Sequence, residues 1–166
     1  MPALCYRIVN VFAESALAGN PLCVFEDGSS LDTATMQALA LQFNLSETTF
    51  IVPPTVAGAT AQVRIFTPGF EMPFAGHPTL GTAHVVRELK NAGDSVKLEM
   101  KAGVIPVEAR GDEWTLKANA PRSHVPHVAR TEFAQMLGLP ESDVRDGALL
   151  VSDDFNGIIY RISYKK

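Results

Sequence analysis

The sequence predicts an α+β domain in which a curved, mostly antiparallel sheet wraps around one central helix. Three observations carry this. Strand-like runs rich in β-branched and aromatic residues lie both before and after one long helical pattern. That pattern, residues 78–92, is apolar nearly all round at its N-terminal end, with Leu80, Ala83, Val85, Val86, Leu89 and Ala92, and its charges, Arg87, Glu88 and Lys90, fall in the last turns. A helix of this kind is buried inside a domain. No glycine-rich turn follows the first strand, which disfavours a dinucleotide-binding fold.

In chain order, residues 5–12 and 22–25 read as two strands. Between them Gly19 and Asn20 tolerate positive φ and Pro21 cannot donate to a ladder, so residues 16–21 read as a turn. Asp32 is placed to cap a helix over residues 33–43, whose stripe of Met36, Leu39, Ala40 and Phe43 should face the sheet. A polar link follows with Glu47 at the junction, and the chain enters a strand ending at Val52. Residues 60–66 alternate as another strand, stopped by Thr67-Pro68-Gly69. Residues 91–94 end the long helix. A meander of strands over 96–100, 104–109 and 114–118 then turns at Gly103 and at Gly111-Asp112. The breaker-rich stretch from Pro121 to Pro126 marks a boundary, giving a first domain over residues 1–120 and a remainder over 121–166. In that remainder a short helix over 131–139, capped by Thr131, precedes two strands at 148–151 and 158–162 around a turn-rich link at 153–157.

Composition excludes several classes. The hydrophobic fraction is 46%, yet no apolar run approaches the roughly 20 residues that cross a bilayer. A net charge of −4 with scattered Lys and Arg carries no footprint for nucleic acid. The N-terminal residues lack a basic segment, an apolar stretch and a cleavage site, so a cytoplasmic location is expected. Cys5 and Cys23 lie in separate strands, away from any His that would make a metal pair, and are expected to be small core residues.

The chemistry gathers at Phe74-Ala75-Gly76-His77-Pro78-Thr79-Leu80-Gly81, a turn that opens into the long helix with Pro78 at its first position. Exposed amides and the positive dipole end at such a terminus suit a small anion, although the same pattern also serves as a plain capping turn.

Taken together, several segments resemble the PhzF family of phenazine biosynthesis proteins in order and spacing. They are Phe12 with Gly19-Asn20-Pro21, Met36-Gln37, the run from Asn44 to Phe50, Arg64-Ile65-Phe66-Thr67-Pro68, Glu71, and the run from Phe74 to Ala83. The resemblance covers residues 5 to about 120 well. It implies a diaminopimelate epimerase-like fold: two similar domains, each a barrel-like sheet around a central helix, with the active site between them. It also implies proton transfer on a small carboxylated substrate without metal or organic cofactor. Glu47 matches the family's acid/base, and Asn20, Gly76, His77, Pro78 and Thr79 fall in the substrate-binding set. A carboxyl serves as acid and base in turn only where a closed, poorly hydrated cleft lifts its pKa toward neutrality. His77 either meets the substrate carboxylate, relays a proton, or caps the helix. Glu71 is expected to orient the turn or to pair with Arg64, His84 to be a hydrogen-bonded core histidine, and His124 and His127 to lie in the boundary loop.

Family members are longer, because a second domain repeats the first and closes the cleft. Residues 121–166 read as a linker and the truncated start of such a domain. The expectation is therefore an isomerase active as a homodimer, in which two copies imitate the two-domain arrangement. The alternatives are a non-catalytic small-acid-binding module and an inactive truncated relative.

Overall fold

The computed structural model describes residues 3–117, 129–136, 138–144, 148–153 and 158–163. Ala118, the stretch from Pro121 to Pro126 with His124, Leu137 and the link at 154–157 lie outside the described residues, as does His127. The chain divides into two compact units, Met1–Asn119 and Ala120–Lys166.

The first unit runs β1 (Tyr6–Val11), β2 (Asn20–Phe25), α1 (Thr33–Phe43), β3 (Thr48–Val52), β4 (Ala61–Phe66), β5 (Glu71–Met72), α2 (Gly76–Lys90), β6 (Ser95–Met100), β7 (Gly103–Arg110) and β8 (Glu113–Leu116). The strands form one sheet in the order β1-β2-β3-β4-β6-β7-β8, with β5 attached to β4. Two neighbour pairs are parallel, β2 with β3 and β4 with β6, and the others are antiparallel. The fold is thus α+β, a curved half-barrel around a buried helix.

Period-two alternation assigns the two faces. Leu22, Val24, Ile51, Val63 and Ile65 pack toward α2, whose Thr82, Ala83, Val85 and Val86 are wholly buried. The opposite face, with Cys23, Phe25, Phe50 and Phe66, is covered by Met36 and Ala40 of α1. Asp32 caps α1 as expected: its carboxylate accepts from the Thr35 N–H at 2.8 Å. Phe66 is buried as well as Ile65, because β4 is covered on both faces.

The structure differs from the sequence expectation at several points. Asn20 and Pro21 belong to β2, opposite Val11 and Asn10. β3 pairs with β2 only from Cys23 onward, so at Pro21 there is a strand on one side alone, where a missing N–H is tolerated. Positive φ in the β1–β2 link falls on Phe12 and Leu17 rather than Gly19. Gly19 is required for close approach instead, since a Cβ there would stand 2.5 Å from the Val11 carbonyl oxygen. Helix α2 starts at Gly76 with Ala75 as its extended cap, which makes Pro78 the third helical residue. Its missing N–H still falls among those a helix leaves unpaired. Cys5 is exposed; only Cys23 is a core thiol, pushed up to about 12 by burial and therefore inert. His84 is not a core residue, because its side chain is 36% exposed, with Nε2 3.5 Å from Glu88 and its ring edge-on to Trp114.

Gly81 is where α2 comes closest to the sheet. A Cβ there would lie 2.7 Å from methyl groups of both Leu22 and Val11. Alanine gains about 1 kcal/mol of helix propensity, while forcing an extra carbon into a packed layer costs about 1–3 kcal/mol. The branched neighbours are themselves buried, so Gly81→Ala is expected to be net destabilising by roughly 1 kcal/mol. Urea unfolding checks this, and a variant more stable than the parent would show that the layer has room.

The second unit contains α3 (Arg130–Met136), a 3-10 turn (Glu141–Asp143), β9 (Ala148–Asp153) and β10 (Ile158–Ser163). β9 and β10 form a separate antiparallel pair, Asp153 opposite Ile158. Thr131 lies inside α3 rather than capping it, and its hydroxyl bonds the Glu141 carboxylate at 3.1 Å. No helix among the described residues is long and apolar enough to cross a membrane.

Candidate active site

Two chain reversals bring the site together. Helix α1 ends at Asn44, left-handed at φ 52, whose N–H returns to the Ala40 carbonyl. A short link then enters β3, and alternation gives Glu47 the same face as Thr49, the face that meets α2. On the other side the chain reaches the α2 N-terminus through the two-residue β5. Ala75 is extended there and no side chain caps the helix. Pro78 brings no N–H, and the Thr79 N–H goes to the Ala75 carbonyl. Gly76 and His77 are thus the amide donors left at this end.

Glu47 and His77, thirty residues apart in sequence, meet here. Nδ1 of His77 lies 3.1 Å from Glu47 Oε2, with the side chains 8% and 17% exposed. The contact lacks hydrogen-bond alignment, and Glu47 Oε2 and His77 Nε2 are both buried without a hydrogen-bond partner among the described residues. Such orphans cost free energy and call for an explanation. A polar ligand at the uncapped helix end supplies one. Burial holds His77 below the ordinary histidine value of 6.5, against the upward pull of the Glu47 carboxylate, so the imidazole is neutral at pH 7.

The other expected residues fall around this pair in different ways. Asn20 comes beside the link to β3, where its Oδ1 accepts from Ser46 Oγ at 3.1 Å. Pro78 and Thr79 are buried, and the Thr79 hydroxyl donates to the Ala75 carbonyl, which makes its role internal to the helix. Ser46 was not singled out by the sequence, although its place beside Glu47 in the polar link is the signal that finds it.

Glu71 pairs with Arg64 as expected. Its carboxylate, 10% exposed, accepts from Arg64 Nε and Nη2 at 2.8 and 2.9 Å and from Lys101 Nζ at 2.6 Å. Arg64 also reaches Thr33 of α1, and Gln37 Nε2 donates to the carbonyls of Thr67 and Pro68. These contacts pin the segment that delivers Gly76 and His77. Arg64, and after the opposing effect of burial Lys101, hold the Glu71 carboxyl below its ordinary 4.5. A depressed carboxyl stabilises the fold fully above pH 4.5 and loses that contribution as pH falls through its lowered value. Glu71→Gln is expected to cost about 1–3 kcal/mol at pH 7. The gap between variant and parent urea midpoints should narrow toward pH 3; a gap unchanged with pH would mean the charge is not what stabilises.

A curved α+β sheet around a buried helix is also the fold of solved epimerase-like structures. A predicted epimerase of Pseudomonas aeruginosa superimposes with a TM-score of 0.66 at 26% identity, covering 97% of this chain and 64% of that one. Residues 9–157 match the family described as phenazine biosynthesis-like protein, and the chain belongs to that PhzC-PhzF family. An uncharacterized isomerase of Pasteurella multocida is 42% identical over 141 residues, which cover 84% of this chain and 48% of the relative. Trans-2,3-dihydro-3-hydroxyanthranilate isomerase of Pseudomonas aeruginosa is 38% identical over 141 residues, 82% of this chain and 50% of the relative. Both of these relatives are named isomerases, and the chain spans about half the length of the curated relatives it matches.

Proposed function

We propose that the chain carries the acid/base half of an isomerase acting on a small carboxylated substrate. The observation that carries the reading is the buried Glu47–His77 pair, 3.1 Å apart at the uncapped α2 terminus, with one atom of each side chain unpartnered. The substrate carboxylate docks on the Gly76 and His77 amides, assisted by the helix dipole. The Glu47 carboxylate then takes a proton from a substrate carbon. The electron pair left behind moves into the adjoining unsaturated system, and Glu47 returns the proton to another carbon, shifting the double bond. His77 holds the carboxyl in place and offers Nε2 to the substrate. The chemistry uses side chains and amides alone.

In the form we favour, the wall opposite Glu47 comes from a second copy in a two-fold dimer. Sedimentation at tens of micromolar protein tests that arrangement, and a strict monomer sinks it. The uncapped α2 terminus also suits a second reading, a small-acid-binding module without turnover. Incubation in heavy water with trans-2,3-dihydro-3-hydroxyanthranilate, the compound named by the relative, separates the two. Deuterium at a substrate carbon supports the isomerase. Binding without incorporation supports the module.

A further inference from the structure

Two residues beyond Glu47 stands Thr49, and five beyond His77 stands Thr82. Both are wholly buried, and their hydroxyl oxygens are 2.8 Å apart, joining β3 to α2. The layer around them is apolar. A second buried polar approach between α2 and the sheet is the 3.5 Å contact of Thr79 Oγ1 with Met100 Sδ, but that hydroxyl already serves the Ala75 carbonyl. Apolar packing tolerates sliding and repacking of its side chains, whereas a hydrogen bond between two buried hydroxyls has a fixed length and direction. The two contacts also run side by side: about 7 Å of strand separates Thr49 from Glu47, and about 7.5 Å of helix separates Thr82 from His77. A shift of the hydroxyl contact is thus carried to the Glu47–His77 contact at nearly full size.

We propose that Thr49 and Thr82 are positioning residues whose hydrogen bond sets the register of α2 against β3, and through it the approach of His77 to Glu47. The proposal rests on the reading of that pair as the site. It explains why two hydroxyls sit in a layer that apolar residues would fill equally well. Removing one partner leaves the other as a buried orphan, which destabilises; replacing both by valine of similar shape is nearly neutral. Stability and positioning therefore separate in the double variant.

The expected results are that Thr49→Val and Thr82→Val each lower the urea midpoint, and that T49V/T82V recovers most of it. Isotope exchange in T49V/T82V stays down by about tenfold or more, as a displacement of up to 1 Å costs as much as 10²-fold. A second readout needs no substrate. With labelled histidine followed by NMR, Glu47→Gln lowers the His77 titration midpoint, because Glu47 is the charged group that raises it. In the T49V/T82V background that drop shrinks by half or more, while Thr82→Ser, which keeps a hydroxyl, retains it. An equal drop in both backgrounds overturns the proposal. Should the double variant not fold, Thr82→Val against Thr82→Ser decides the same question. If the parent shows no exchange, the isomerase reading fails on its own and the titration still judges the positioning role.

Discussion

Glu47→Gln is expected to lower proton exchange into a bound small carboxylic acid by about 10²–10⁴-fold, the range that a positioned general acid/base supplies. Glutamine keeps the shape and polarity of the side chain but cannot take up or release the proton. Binding should change little, since in the proposed arrangement the anion is held by the Gly76 and His77 amides. His77→Asn should reduce exchange by less, because it removes the group that holds the carboxyl but leaves the base. It should also change the pH dependence of stability. The buried His77 titrates below its ordinary 6.5 because burial outweighs the pull of Glu47, so the unfolded chain binds its proton first. Its contribution is complete above pH 6.5 and is lost as pH falls through the lowered folded value, a loss that His77→Asn abolishes. Deuterium incorporation measured by NMR, with urea midpoints between pH 5 and 8, checks both statements. Undiminished exchange in Glu47→Gln would falsify its role as base; an equal fall in the two variants would show that the pair acts as one unit.

Much of the scaffold was legible because local and global signals agree there. Asp32 announces α1, the alternation of Ala61, Val63 and Ile65 announces β4, and the apolar run of α2 announces a buried helix. The errors fall where tertiary context overrides a local rule. Pro21 sits in a strand because β2 lacks a second neighbour there, and Gly76 joins α2 because Ala75 is extended. β5 has two residues, too few for any periodicity, and owes its place to the clamp on Glu71. The site was legible only in part, for a different reason. Nothing in the spacing of Glu47 and His77 says that they touch; their contact is made by β3 running beside α2, and it was the resemblance to a family that suggested both. Thr49 and Thr82 were passed over because threonine is at home in strands and tolerated in helices, so neither breaks a pattern. Their partnership exists only in three dimensions.

The largest stability effect is expected on the face away from the site, at Phe50→Ala, with a loss of about 3–5 kcal/mol. Phe50 is wholly buried, lies parallel to the Phe25 ring at 4.7 Å and meets Phe66 edge-on at 5.5 Å, beneath Met36 and Ala40 of α1. Deleting it removes the transfer free energy of the ring and two aromatic contacts, and it opens a cavity that flanking β-strands close poorly. Against the roughly 5–15 kcal/mol of a typical domain, that is a large share of the whole. Cys23 gives an independent readout, because it lies in the same cluster and its thiol is protected by burial, whereas Cys5 is exposed. In the parent a thiol reagent should modify Cys5 quickly and Cys23 only at the rate of opening; in Phe50→Ala the slow phase should accelerate in step with the lower urea midpoint. Phe50→Leu should restore most of both. A lower midpoint with Cys23 still slow would mean that the loss lies in the unfolded ensemble, and a loss under about 1 kcal/mol would mean that α1 settles onto the sheet and refills the space. Because Phe50 lies on the α1 face of β3 while Glu47, in the link before that strand, meets His77 of α2, exchange per folded molecule should survive in Phe50→Ala at low temperature, whereas Glu47→Gln loses exchange with its fold intact.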